Sequence, residues 1–520
     1  MQETEFAVKV FILLLLVASA VAMATRWIRV PYSLALVIIG LLIAPMHFLP
    51  VVHISPELIL LIFLPALLFE AAWNLDIERL RKNLVPILSL AVAGVCVSLA
   101  VIGVVLRYGA GMSWSSSLLF GAMISATDPV SVLALFRKFG LPARLFMIIE
   151  GESLLNDGTA AVLFRIIAGL VIAGTVPSTS ELLIVSIREF GIVVFGGIAV
   201  GAVIGMLLSL VALPFDDHRL EITLTTVAAY GSYLMSDSLH VSGVIAVLAA
   251  GLVLGNFGRR MGMSPTAQIA VTAFWEYMAF VSNSLVFLLI GLDVNLSEFL
   301  VGSTVVLWGI AAMLAGRVVA VYPLLALTNR VSEPVPVRWA HTLVWGGLRG
   351  SLSIALVLSL PATVAGRSQL VTMVFGAVLF SLLVQGLALG PLLTRLKFSV
   401  RKPAVEKAER VRAQMACTAA AMERLEELRR HGMVPTSAYE KLRSRFEQSY
   451  GLFSSQILDL RAADPTLEER EHEDLKSALV DAEKSRLIDF RRHGAISDAT
   501  FHSLEQMLND EFEDDSVAGK

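Results

Sequence analysis

The chain has 520 residues, 56% of them hydrophobic, and a mean hydropathy of +0.74; soluble globular chains hold roughly 45–50% apolar residues. Residues 401–520 carry 19 Lys/Arg and 24 Asp/Glu, which leaves 22 and 20 for residues 1–400, so a membrane-class segment precedes a charged, soluble-class one. With a formal net charge of −3 and two cysteines, Cys96 in an apolar run and Cys417 in the charged segment, the composition excludes a secreted enzyme, a nucleic-acid module and a disulfide scaffold.

Apolar runs of bilayer-crossing length, about 17–25 residues, recur through the first segment. They fall near 6–25, 31–50, 57–74, 85–107, 115–136, 145–173, 185–213, 219–236, 239–257, 267–292, 299–326, 337–361 and 369–395. This gives thirteen spans, with 299–326 open to division into two. No barrel-like alternation is visible, so the spans are read as helices, whose backbone groups are satisfied internally. The leader MQETEF is acidic where a cleaved signal has a basic start, so the first run is read as a retained helix with its N-terminus outside.

Loop charges follow that orientation. The connections then facing the cytoplasm carry Arg26 and Arg29, Arg79, Arg81 and Lys82, Arg137, Lys138 and Arg144, Arg219, Arg259 and Arg260, and Arg330 and Arg338. The opposite ones carry only Arg107, Arg188 and Arg367. The positive-inside bias thus holds at every loop and places the segment from 401 onward in the cytoplasm.

Ionisable residues inside apolar runs are costly and point to function. The sixth run holds Glu150, Glu152, Asp157 and Arg165. At about 100° per residue, Glu152, Ser153, Asn156 and Asp157 share one helix face, too polar to meet lipid. In the fifth run, Pro129 follows Thr127 and Asp128 and removes a helix hydrogen bond mid-membrane. In the twelfth, Gly346, Gly347, Arg349 and Gly350 mark a second interruption. Two broken helices in separate halves are a pointer to a secondary transporter built on inverted repeats. Half-helix ends expose partial charges that an aspartate and an arginine can neutralise. Asp128 therefore reads either as a cap on those ends or as an ion contact, and Arg349 either as a helix-end partner or as a substrate contact. Asp157 has the competing reading of a buried, hydrogen-bonded aspartate. Glu70 closes the third run, and Arg317 in the eleventh needs a buried carboxylate, for which Glu152 is the candidate.

These segments resemble the NhaP/NHE-type sodium/proton antiporters. The resemblance rests on FLPALLFEAAWNLD at 63–76, GAMISATDPVSVLALFRKFGLP at 121–142, EGESLLNDGTAAVLF at 150–164, HVSGVIAVLAAGLVLGN at 240–256, FWEYMAFVSNSLVFLLIGL at 274–292 and WGGLRGSLSIALVLSLP at 345–361. It implies an all-α polytopic membrane protein with the NhaA-like fold, about thirteen transmembrane helices, inverted repeats and two broken crossing helices. It further implies a homodimer in which a six-helix transport bundle moves against a dimerisation domain. By the same resemblance, Asp157 binds Na⁺ or H⁺ with Ser153, the Thr127 carbonyl and Glu70. Asp128 and Arg349 sit at the helix crossing, and Glu152 and Arg317 form the family's buried ion pair. Asn156 matches the position separating Asn-Asp exchangers, usually electroneutral, from Asp-Asp ones, usually electrogenic. Asn283 departs from animal exchangers, which commonly place Glu there.

The expected function is exchange of Na⁺ or Li⁺ for H⁺ at the cell membrane, one for one, in sodium and pH homeostasis. No cofactor, enzymatic step or nucleic acid enters, and K⁺/H⁺ exchange on the same scaffold is the alternative. A cation channel would need a continuous filter or charged rings, and none is read. Residues 401–520 are read as a cytoplasmic helical domain with an internal repeat, LRRHGMVPTSAY at 428–439 and FRRHGAISDATF at 490–501, offset by 62 residues. Each copy is read as a helix ending at Gly432 or Gly494, with Pro435 or Ser497 starting the next. The acidic end EFEDDSVAGK is read as disordered.

Overall fold

The computed structural model describes residues 2–25, 27, 32–44, 58–128, 133, 135–137, 139–173, 179–213, 217–293, 303–398, 403–464 and short groups of positions between 479 and 507. Of the residues singled out in the sequence, Arg26, Arg29, Pro129, Lys138 and Gly494 and the acidic end lie outside them. The chain divides into two compact units, Met1–Ser399 and Val400–Lys520.

All regular structure among the described residues is helical. In the first unit the helices are α1 (Gln2–Thr25), α2 (Tyr32–Ile43), α3 (Ile59–Asn74), α4 (Ile77–Lys82), α5 (Leu84–Gly109), α6 (Trp114–Ser125) and α7 (Ala143–Ala173). They continue with α8 (Thr179–Ala212), α9 (His218–Ser238), α10 (Gly243–Met261), α11 (Pro265–Asp293), α12 (Ser303–Thr328), α13 (Val337–Gly346), α14 (Ser351–Leu358) and α15 (Arg367–Arg395). Among the described residues, seven helices are long and apolar enough to cross a membrane. An eighth span results if α13 and α14, bent by 44° at their break, are taken as one. The stretch 299–326, open to two readings in sequence, is a single helix from Ser303 that keeps Pro323 within it.

Glycines let some of these helices meet at backbone distance. A Cβ on Gly40 of α2 would lie 2.6 Å from the Leu288 carbonyl oxygen and 2.8 Å from the Gly291 Cα of α11. Because both neighbours are backbone, neither can swing aside. Gly291→Val is therefore expected to cost about 1–3 kcal/mol and to lower the unfolding temperature in detergent. Gly390→Ala, whose Cβ meets nothing within 4 Å, is expected to leave it unchanged. Equal melting of the two variants would contradict the close approach.

Polar ties fix the helix ends. Asn256, in a π-helical turn of α10, donates to the carbonyls of Leu75 and Leu252, at 2.9 Å each, and accepts from the Ile77 N–H. It thereby holds the α3–α4 corner. Arg144, at the start of α7, donates to Asn83 Oδ1 and to the carbonyls of Glu333 and Pro334, which staples the α4–α5 and α12–α13 corners to that helix.

In the second unit α16 (Pro403–Arg430) and α17 (Thr436–Ala463) form a hairpin around Ala408, Val411 and Ile457. The turn uses Gly432 at φ +70°, in the left-handed region that favours glycine. Arg429 lies 4.1 Å from the Tyr439 ring centroid, and Arg491 lies 4.9 Å from that of Phe501. The two copies of the sequence repeat thus make the same cation–π contact.

Candidate functional site

The site forms where α6 stops, where α13 breaks from α14, and where the polar face of α7 passes between them. Helix α6 ends at Ser125, Ala126 is extended, and the Asp128 N–H donates to the Leu348 carbonyl at 2.8 Å. The two interrupted segments therefore touch at their breaks. Arg349 Nη1 donates to the Ser125 and Ala126 carbonyls at 2.9 and 3.0 Å, and so meets the negative end of α6. Its backbone N–H donates to Ser381 Oγ at 3.0 Å, from a π-helical turn of α15. The Asp128 side chain lies at the opposite pole. A Cβ on Gly350, the residue before α14, would sit 2.5 Å from Asp128 Cβ and 2.9 Å from its Oδ2. Each charge thus stands beside the helix end of opposite sign.

Behind the crossing, α7 supplies a hydrogen-bonded line of side chains. Glu152 takes both arms of the Arg317 guanidinium, Nη1 to Oε1 at 2.7 Å and Nη2 to Oε2 at 3.0 Å. The side chains are 1% and 9% exposed, and Arg317 Nη2 also donates to the Leu343 carbonyl of α13. Asn156 Nδ2 donates to Glu152 Oε1 at 2.9 Å and to Thr127 Oγ1 at 2.7 Å, while its Oδ1 accepts from the Thr127 N–H at 3.2 Å. Thr127 and Ser153 share a hydroxyl–hydroxyl hydrogen bond of 3.0 Å. Glu152, Asn156, Thr127 and Ser153 are all buried, whereas Asp157 is only partly so.

Asp157 faces a cavity of about 660 Å³ lined also by Thr127, Asp128, Ser153, Glu70, Glu150, Glu276, Asn283 and Arg137. The pair Glu152–Arg317 and the residues Asn156 and Arg349 stand behind its wall. Glu70 accepts from Asn74 Nδ2 at 2.8 Å, and its charged neighbours are Glu150, Glu276 and Arg137. Glu276 and Arg137 are not among the site residues to which the sequence points, and Glu150 stands there only as one charge of the sixth run. The signal for Glu276 was present: it lies seven residues before Asn283, on the same face of α11. Arg137 carried no signal beyond its place in a basic loop. His341 of α13 hydrogen-bonds through Nδ1 with Tyr322 Oη at 2.5 Å.

A partly exposed carboxylate in an acidic cavity lined also by Ser153 and Thr127 offers hard oxygen ligands and one negative charge. Such a site suits a hard cation or a proton. The helices around it define a multi-pass membrane protein. The family model described as sodium/hydrogen exchanger, transmembrane, matches residues 12–395, and the chain belongs to that family. It is 40% identical to the Na(+)/H(+) antiporter ApNhaP of Aphanothece halophytica, over 92% of each chain. It is 39% identical to the Na(+)/H(+) antiporter NhaP of Pseudomonas aeruginosa, over 65% of this chain and 81% of that one. Its fold is similar to the solved structure of the sodium proton antiporter MjNhaP1 from Methanocaldococcus jannaschii, with a TM-score of 0.64 at 19% identity, covering 76% of this chain and 99% of that one. The family is one of transporters rather than enzymes.

Proposed function

We infer that this protein is a secondary antiporter exchanging Na⁺ for H⁺, with Asp157 as the carboxylate that both ions share. The observation that carries the reading is the placement of Asp157 on the cavity wall beside Ser153 and Thr127. The sodium/proton descriptions of the relatives support Na⁺ as the cation, and none of those named here points to K⁺. Li⁺, smaller and harder still, is a second substrate of the same oxygens.

The exchange makes and breaks no bond between heavy atoms; only the proton on the carboxylate comes and goes. Asp157 holds a cation or a proton, and the loaded bundle, but not the empty one, moves between the two membrane faces. Residues 1–400 constitute the antiporter domain, with about thirteen spans in inverted repeats, and residues 401–520 a cytoplasmic helical domain. The protein sits in the cell membrane as a homodimer with its N-terminus outside. In that orientation the cavity opens to the cytoplasm, because Glu70, Arg137 and Glu150 lie next to loops carrying Arg79, Arg81, Lys82 and Arg144. Sodium and pH homeostasis is the physiological role that follows.

Exchange is expected to be electroneutral, one cation per proton. Both oxygens of Glu152 are taken by the bidentate Arg317, Asn156 cannot titrate, and Asp128 stands at the helix end of opposite sign. Only Asp157 then changes occupant. The test is a proteoliposome assay in which Na⁺, Li⁺ and K⁺ separately dissipate a proton gradient under a potential clamped by valinomycin. Dissipation by Na⁺ and Li⁺ at a rate independent of voltage is expected. No response to Na⁺ would remove the antiporter reading, and a rate that tracks voltage would remove the stoichiometry.

A further inference from the structure

The cavity in front of Asp157 is lined by the carboxylates of Glu70, Glu150 and Glu276, and among its described lining residues one basic side chain stands with them, Arg137. Arg137 is exposed to solvent, and its guanidinium lies over the ring of Phe146 at 5.6 Å from the centroid. Phe146 belongs to α7, so the contact ties the arginine to the helix that carries Asp157. Arg137 is also within electrostatic reach of both Glu70 and Glu150. An arginine stays charged throughout the working pH range. Carboxylates raise the local concentration of a cation entering a cleft, and a fixed positive charge lowers it.

We propose that Arg137 is an affinity-setting residue: a tethered cation that shares the carboxylates of the cavity with incoming Na⁺ and so raises the KM for Na⁺ without touching Asp157. The inference rests on the Na⁺/H⁺ reading of the site. Arg137 acts through the field it adds to the cavity rather than as an ion ligand. Its stacking on Phe146 keeps the charge at the cavity wall, where a free side chain would spend its time in bulk water.

The experiment compares the full chain with Arg137→Gln and Arg137→Lys in proteoliposomes, measuring initial rates against Na⁺ at low ionic strength and again with N-methylglucamine chloride added. Arg137→Gln is expected to lower KM by roughly two- to fivefold, the size of one screened charge a few ångströms from the path, with kcat unchanged. Arg137→Lys is expected to stay near the parent value. The difference should shrink with added salt, as the screening length falls from about 10 Å at 0.1 M towards 3 Å at 1 M. Half-saturation of the Na⁺-dependent thermal stabilisation, which needs no turnover, should move in the same direction. An unchanged KM in Arg137→Gln, a change that Arg137→Lys shares, or one indifferent to salt would overturn the proposal. Loss of Na⁺-driven exchange in the parent protein would instead remove the Na⁺/H⁺ reading beneath it.

Discussion

Asp157→Asn is expected to abolish exchange while leaving the protein folded. The amide has nearly the shape of the carboxylate but neither titrates nor supplies a negative charge, so neither ion has a site. The neighbouring hydrogen bonds, from Asn156 to Glu152 and Thr127 and between Thr127 and Ser153, do not involve Asp157 and should persist. Two measurements separate loss of function from loss of fold. Elution on size exclusion should match the parent, and the upward shift of melting temperature with Na⁺ that accompanies binding to the native state should vanish. Appreciable proton-coupled Na⁺ transport by the folded variant would refute the assignment of Asp157 as the shared carboxylate.

Glu152→Gln and Arg317→Ala are each expected to destabilise the protein by about 3–5 kcal/mol, because each leaves the other charge buried without its partner. The double variant is expected to recover part of that loss. The geometry makes the case strong: two parallel hydrogen bonds at 2.7 and 3.0 Å, on side chains 9% and 1% exposed. Arg317→Lys should not rescue, since one ammonium cannot span both carboxylate oxygens and the Leu343 carbonyl in the same planar arrangement. Thermal unfolding in detergent across the four-member cycle gives the coupling directly, and strict additivity would show that the two residues act independently.

Much of the framework was legible because bilayer-crossing runs are long and charges within them are scarce. Arg317 had few carboxylates to choose from, and the helical spacing of Glu152, Ser153, Asn156 and Asp157 placed them on one face before any partner was known. The glycine cluster at 346–350 announced the break between α13 and α14. What sequence did not yield was the company of Glu70. Its charged neighbours Glu150, Glu276 and Arg137 come from three other stretches of chain. Periodicity tells which face of a helix is polar but not which other helix that face meets. For the same reason Asp128 and Arg349 were readable as partners of helix ends, but not which end each would take. Arg349 reaches Ser125 and Ala126, while Asp128 lies against Gly350.

The contacts of Asn156 make its side chain a one-way connector. Both amide hydrogens are committed, one to Glu152 Oε1 and one to Thr127 Oγ1, and the carbonyl end faces an N–H. Rotating the amide by half a turn would set donor against donor at Thr127, so its orientation is fixed by its surroundings. An aspartate of the same shape would keep the acceptor end and reverse the other, turning an oxygen towards Glu152 Oε1 with no hydrogen between them. One of the two acids would then have to carry a proton, or Glu152 would have to loosen its hold on Arg317. A change from the Asn-Asp pair to an Asp-Asp pair in this scaffold is therefore not a single-residue step: it rewires the ion pair behind the site before it adds a charge to the transport cycle.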